Sequence, residues 1–296
     1  MALMRFLMIG FVAAVLVACG DDDSSFATRP SDGSSSSVTP KSSDSETSVS
    51  SEKQGDGESS SAMTSSSSVE SSSSEGYVDP STVVKGTMTD ERDGQTYKTV
   101  TIGTQTWMAE NLNYAYTDVP YNYISYTSDS TSWCYKDSAE YCAKYGRLYT
   151  WAAAMDSVGT WSTNGKGCGY KSTCTQTCPV RGICPEGWHL PDTTEWRTLF
   201  TAVGGQSTAG KILKSTNGWN SSGNGTDAYA FSALPAGRRN YDGDFNYEGD
   251  RAYFWSSTEG DSSGAYGMCL DYYSDSAGLG NYYKYYEFSV RCLKDE

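Results

Sequence analysis

Cys184-Pro185-Glu186-Gly187-Trp188-His189-Leu190-Pro191-Asp192-Thr193-Thr194-Glu195-Trp196 is the stretch on which the fold turns. Asp192 stands where a helix N-cap would accept from backbone amides, and Glu195, three residues on, completes a capping-box pair. Trp196, Leu199, Phe200 and Val203 follow on one apolar stripe at helical spacing, and Gly204-Gly205 ends the run. A helix starting after Asp192 is therefore predicted, entered from a short apolar segment.

Upstream, residues 97–102 and 106–112 read as strands joined through Gly103-Thr104-Gln105, after an Asp93-Gly94 turn. Leu148, Trp151, Ala152 and Met155 fall at i, i+3, i+4 and i+7, which predicts a second amphipathic helix. Downstream, a short helix is expected around 209–214. Strands are expected at 229–234, 251–258, 265–273 and 285–293. Alternation is clear in Tyr266, Met268, Leu270 and Tyr272, and again in Phe288, Val290 and Cys292. Early strands, two main helices and a late antiparallel sheet make the fold class α+β.

Composition bounds the rest. Residues 20–78 hold 24 Ser, 11 acidic and 3 basic side chains, with almost no large apolar ones. No periodic face can be built from that, so the stretch is expected to be a disordered tether. Residues 79–296 hold 22 Tyr, 8 Trp and 5 Phe, and only this part can bury a sizeable core. The net charge of −14, without basic clusters, argues against nucleic acid as a partner. A single His excludes a His-rich zinc site.

The N-terminus reads as an address. Arg5 precedes a 13-residue apolar run over 6–18, shorter than the about 20 residues a spanning helix needs. The run ends in Leu16-Val17-Ala18-Cys19, which resembles the lipobox of bacterial lipoproteins. The expectation is a signal peptide over 1–18, lipidation at Cys19 with diacylglycerol and an N-acyl chain, a tether over 19–78 and a folded domain over 79–296. Two or more acyl chains anchor stably where one does not. Asp21-Asp22-Asp23 resemble surface-export signals, so an outer-membrane lipoprotein displayed at the cell surface is expected.

Eight further cysteines, an even number in an exported domain, point to disulfides. The gaps between Cys168, Cys174, Cys178 and Cys184 lack the paired knuckles of a zinc ribbon. About a hundred connectivities are open. The reading adopted joins Cys134 to Cys142 and Cys168 to Cys174 as local loops and Cys184 to Cys292 across the domain, which leaves Cys178 with Cys269.

Four segments carry a family resemblance: Tyr145-Gly146-Arg147-Leu148-Tyr149-Thr150-Trp151, the Cys184–Pro191 segment quoted above, Phe254-Trp255-Ser256-Ser257-Thr258-Glu259, and Ser289-Val290-Arg291-Cys292. In this order they resemble the Fibrobacter succinogenes major paralogous domain, over residues 96–295. That family is in turn similar to the C-type-lectin-like fold of formylglycine-generating enzymes, whose RLPTEAEWE helix start is echoed at 189–196. The resemblance implies a disulfide-stapled C-type-lectin-like domain in a cell-envelope setting, and it supplies no assigned activity.

Departures from those relatives weigh against their chemistry. The oxidases use a copper-binding cysteine pair and an RGGSW segment; here the corresponding region reads Phe254-Trp255-Ser256-Ser257-Thr258. Calcium-dependent lectins carry EPN or QPD and WND, none of which occurs. Asp244-x-Asn246-x-Glu248-Gly249 approximates a calcium turn, although Trp255 stands where an EF-hand needs Glu. No cofactor is expected, with Asp244, Asn246 and Glu248 as the one calcium candidate. His189, at a helix entry, reads as a packed residue rather than a base.

Loop aromatics offer the remaining route to a ligand. Sugar rings stack on Trp and Tyr while polar neighbours orient the hydroxyls, and tyrosine-rich loops also suit protein recognition. The candidates are Trp219, Tyr241, Phe245, Tyr247, Tyr282 and Tyr283, with Arg238, Arg239 and Asp242 beside them. The expected function is non-enzymatic binding or adhesion, with polysaccharide or an envelope protein as partner and the membrane reached through the lipid. A structural or protein-interaction module is the alternative, and an oxidase comes third.

Overall fold

The computed structural model describes residues 76–116, 121–123, 126–128 and 131–296. The lipidation site Cys19, the signal segment and the tether up to residue 75 lie outside the described residues. The chain opens with strands β1 (Val84–Thr89), β2 (Thr96–Ile102) and β3 (Gln105–Met108), then the hairpin β4 (Tyr121–Tyr123) and β5 (Tyr126–Ser128). Next come β6 (Ser132–Trp133), helix α1 (Ala139–Tyr145), β7 (Leu148–Thr150), helix α2 (Trp151–Ala154) and β8 (Trp188–His189). Helices α3 (Thr193–Ala202) and α4 (Gln206–Leu213) lead to β9 (Ala236–Arg239), β10 (Phe245–Glu248) and β11 (Arg251–Glu259). β12 (Gly264–Asp271), β13 (Ala277–Tyr283), β14 (Glu287–Phe288) and β15 (Leu293–Lys294) complete it. The class is α+β.

Two main sheets organise the domain. One runs β1-β2-β3-β15-β8, so the last strand slots between the first strands and the lead-in to α3. The other runs β13-β12-β11-β9-β14-β7-β6, with β10 hairpinned onto β9. β11 feeds both apolar cores by strand alternation. Ala252 and Phe254 face Trp107, Trp196, Leu199, Phe231 and Met268. Tyr253 and Trp255 face Tyr149, Trp151, Phe288 and Val290.

Helix α3 starts where the sequence placed it. Asp192 accepts from Thr194 N at 2.7 Å and Glu195 N at 2.8 Å, and Glu195 returns a bond to Asp192 N at 2.8 Å. Its buried stripe of Trp196, Leu199 and Phe200 lies in the second core. Tyr229 Oη donates to Val78 O at 2.5 Å and Val78 N to Ala202 O at 2.8 Å. Val78 is therefore already part of the fold, one residue ahead of residue 79.

Three expectations are corrected. The helix drawn through Leu148 is a strand followed by one helical turn: Leu148 and Tyr149 pair with β6, Tyr149 and Thr150 with β14, and the Thr150 hydroxyl caps Ala153 N at 3.2 Å. The expected strand over 229–234 is irregular, because Ala230 and Ser232 take positive φ; Asp227 holds Ser232 N and Oγ at 2.6 Å each. The long strand over 285–293 is two short pieces, β14 and β15.

Disulfides join Cys134 to Cys142, Cys168 to Cys174 and Cys184 to Cys292. Cys178 and Cys269 do not join each other: Cys178 is exposed and Cys269 is buried in the core. The three bridges take up the other six described cysteines, which is the sole ground for expecting these two to pair.

Candidate functional site

The segment leaving β13 carries Tyr283, Tyr285 and Tyr286, and it makes a tight turn in which Tyr286 N donates to Tyr283 O at 3.0 Å. The Tyr283 and Tyr285 rings stack with centroids 4.8 Å apart and planes 14° off parallel. Tyr241, from the turn after β9, meets Tyr285 edge-on at 5.4 Å, and Tyr170 does so at 5.1 Å. Tyr286 lies 5.0 Å from Tyr285 and 6.1 Å from Phe288, parallel to the latter within 20°.

The rings step outward from the core. Phe288 is 0% exposed, Tyr286 5%, Tyr285 8%, Tyr241 37% and Tyr283 48%. An exposed aromatic face thus rests on buried rings of the same stack, each pair in the offset or edge-on geometry that aromatic quadrupoles favour. Beneath it, the Arg238 guanidinium sits 4.0 Å from the centre of Tyr286 and 5.3 Å from Tyr247. Cation–π contact of this kind fixes a ring without using its hydroxyl.

Each supporting loop is pinned. Lys284, between two of the tyrosines, is buried; its Nζ bonds Glu259 Oε1 at 2.5 Å and Ser172 O at 2.9 Å, and stands 4.6 Å over Trp151. Glu259 also accepts from Cys174 N at 3.2 Å. The Cys168–Cys174 loop that presents Tyr170 is therefore held to the end of β11 by a bridge, a carboxylate and an ammonium. The turn carrying Tyr241 closes through Asn240 N to Asp244 O at 2.8 Å, and Asp242 Oδ1 accepts from Asp244 N at 3.3 Å.

The residues expected to bind divide sharply. Tyr241, Asp242 and Tyr283 are exposed. Trp219 is buried, its Nε1 donating to Ser215 Oγ and Ala233 O at 3.1 Å each, and is a packing residue. Tyr282 points into the core against Tyr253 and Phe288, as strand alternation with Tyr283 requires. Arg238 and Arg239 are buried; Arg239 pairs with Glu287 at 3.2 Å and covers Trp133 at 4.1 Å. Phe245 packs on Tyr135, and Tyr247 lies against both Arg238 and Arg251. Arg238, Tyr247 and Tyr282 belong to the platform's foundation rather than its surface, and Trp219 packs in the other core.

The three residues considered for calcium lie on or beside one strand. Asn246 and Glu248 lie in β10, paired across to Arg238 and Ala236, and Asp244 stands just before it. Glu248 is already engaged by Tyr145 Oη at 2.6 Å. Among the described residues no group of three or more His, Cys, Asp or Glu is arranged to hold a metal ion. Tyr170, Tyr285 and Tyr286 were missed by the sequence reading. Tyr170 sits in a cysteine-closed loop, the other two were read as an extended strand, and none alone reads as a partner of Tyr241.

His189 has both ring nitrogens occupied, Nδ1 by Asp295 at 2.7 Å and Nε2 by Glu195 at 2.8 Å. Burial opposes its charge, but the two carboxylates outweigh burial and raise its pKa. An imidazole so held is a clamp between α3 and the residue that follows the last strand. Cys292, bonded to Cys184, cannot serve in a thiol pair with Cys269.

No curated protein and no solved structure matches the chain. The Fibrobacter succinogenes major domain model matches residues 100–294, which takes in all the late strands, both long helices and every platform tyrosine. The chain therefore belongs to the Fibrobacter succinogenes major domain family.

Proposed function

We propose that the domain is a non-enzymatic adhesion module that binds polysaccharide through its stepped tyrosine face. The observation carrying this reading is that Tyr241 and Tyr283 are exposed while the rings supporting them are buried and locked. A rigid aromatic surface gives contact area at low entropic cost, and the apolar C–H faces of sugar rings match it. The proposal includes the finer fold, C-type-lectin-like, and the setting: an outer-membrane lipoprotein anchored through Cys19, displayed at the surface beyond its serine-rich tether.

The test is retention of the exported full-length chain on insoluble cellulose, xylan and peptidoglycan. Retention on at least one polymer is expected, with loss in the Tyr241→Ala, Tyr283→Ala double variant while circular dichroism shows that variant folded. Both rings are exposed, so their removal leaves the core intact. Failure on all three polymers, with retention of an envelope protein that the double variant loses, would replace polysaccharide by a protein partner.

A further inference from the structure

A polar cleft of about 340 Å³ opens between the start of β2, the exit of β3, the end of α1 and the loops around 215–217 and 227–234. Its inner wall is held by bonds within the chain. Asn111 Nδ2 donates to Tyr145 O at 2.8 Å, while Asn111 Oδ1 accepts from Arg291 Nε at 2.8 Å. The Arg291 guanidinium, fully buried, also reaches Ser232 O at 2.9 Å and Phe231 O. Gln95 and Asn113 grip each other, Asn113 Nδ2 to Gln95 Oε1 at 2.9 Å and Gln95 Nε2 to Asn113 O at 3.2 Å. At Gly146 the chain passes so close to the segment after β3 that a Cβ would stand 2.7 Å from Leu112 O.

The charges around the cleft are engaged. Lys98 bonds Glu110 at 3.0 Å, Lys144 meets Glu248 at 3.5 Å, and both oxygens of Asp227 hold Ser232. Arg291 is closed off from solvent, and burial draws its pKa down to about 9 against the pull of Asp227 and Glu110. An anionic ligand would therefore meet no unengaged cation. Open groups remain of another kind. Thr216 and Asn217 are exposed on the rim, and Asn217 is bonded only through its carbonyl, which accepts from Ser215 Oγ at 2.7 Å. Asn113 Oδ1 is buried without a hydrogen-bond partner.

We propose that this cleft binds one neutral sugar residue, held by Asn217 and Thr216 against the wall that Arg291 organises. Sugar hydroxyls donate and accept at once, which is what amide and hydroxyl side chains without net charge can satisfy. The volume lies at the lower end of ligand cavities, about 300–1,000 Å³. A preorganised wall lowers the ordering cost of binding. The site uses no residue of the tyrosine face and stands or falls separately from it.

The experiment is calorimetric titration of the full-length chain in detergent with cellotriose, xylotriose and, as the acidic counterpart, trigalacturonate. At least one neutral trisaccharide is expected to bind. Asn217→Ala should weaken it by about tenfold, the loss of one or two neutral hydrogen bonds. The titrations are repeated in the Tyr241→Ala, Tyr283→Ala background, which removes the aromatic face, and there a neutral trisaccharide should still bind and Asn217→Ala should still weaken it by about tenfold. Circular dichroism of Asn217→Ala confirms folding, since that side chain supports nothing else. No binding of either neutral sugar, binding of trigalacturonate alone, or an unchanged constant in Asn217→Ala would each overturn the proposal. Loss of binding in the tyrosine variant instead would assign the sugar to the aromatic face.

Discussion

A histidine gripped at both nitrogens makes stability depend on pH, and the sign follows from the partners. The His189 pKa is raised from 6.5, so its stabilisation is complete below that value and is lost as pH rises through the higher folded value. Burial works against the Glu195 carboxylate, yet its bonds from His189 and Asp192 N lower its pKa from 4.5. Its contribution is present above 4.5 and is lost as pH falls through the folded value. The clamp is therefore strongest between about pH 4.5 and 6.5. Melting temperature should fall between pH 6 and 9, and His189→Gln should flatten that slope and cost about 2 kcal/mol at pH 6. A second residue-level outcome concerns Cys178: iodoacetamide should alkylate it in the native chain and spare every other described cysteine, checked by peptide mass spectrometry. At this scale the sequence was informative where the interaction is local. The Asp192–Glu195 box spans one helical turn and could be read directly. The stack of Tyr170, Tyr241 and Tyr285 could not, because its members come from three loops brought together only by the Glu259–Lys284 pin and the β9 turn.

Among the elements, α3 depends on its cap. Asp192→Ala removes two amide acceptors and should cost about 1 kcal/mol in denaturant unfolding. The disulfides should rank by the span they close. Replacing both members of the Cys184–Cys292 pair, 108 residues apart, should cost about 5 kcal/mol in the chain-entropy model; replacing Cys134 and Cys142, 8 apart, about 2.5 kcal/mol. Equal losses for the two pairs would show that strain or residual unfolded structure dominates. The strands β2, β11 and β12 were legible because each alternates or runs apolar for several residues. Leu148–Thr150 was not, since its helical spacing is real and only pairing with β6 and β14 overrides it. The short β9, buried throughout, carries two arginines that read as loop chemistry until the aromatic rings above them are seen.

The described domain has two large apolar cores that share one strand, β11, and a smaller one around Tyr135 and Tyr145, with its first and last strands in the same sheet. The sheet order β1-β2-β3-β15-β8 could not be read from sequence, because strand pairing between residue 107 and residue 293 leaves no local trace. The bridge that closes this arrangement has a mechanical corollary. Every platform tyrosine except Tyr170 lies between Cys184 and Cys292, inside a covalent ring of chain. A load applied between residue 76 and residue 296 crosses that ring at the sulfurs and never stretches the 108 residue steps within it. At about 3.5 Å per extended residue, roughly 380 Å of contour is hidden from force. Oxidised chains pulled from residue 76 to residue 296 should lengthen by that amount when Cys184 and Cys292 alone are replaced by Ser.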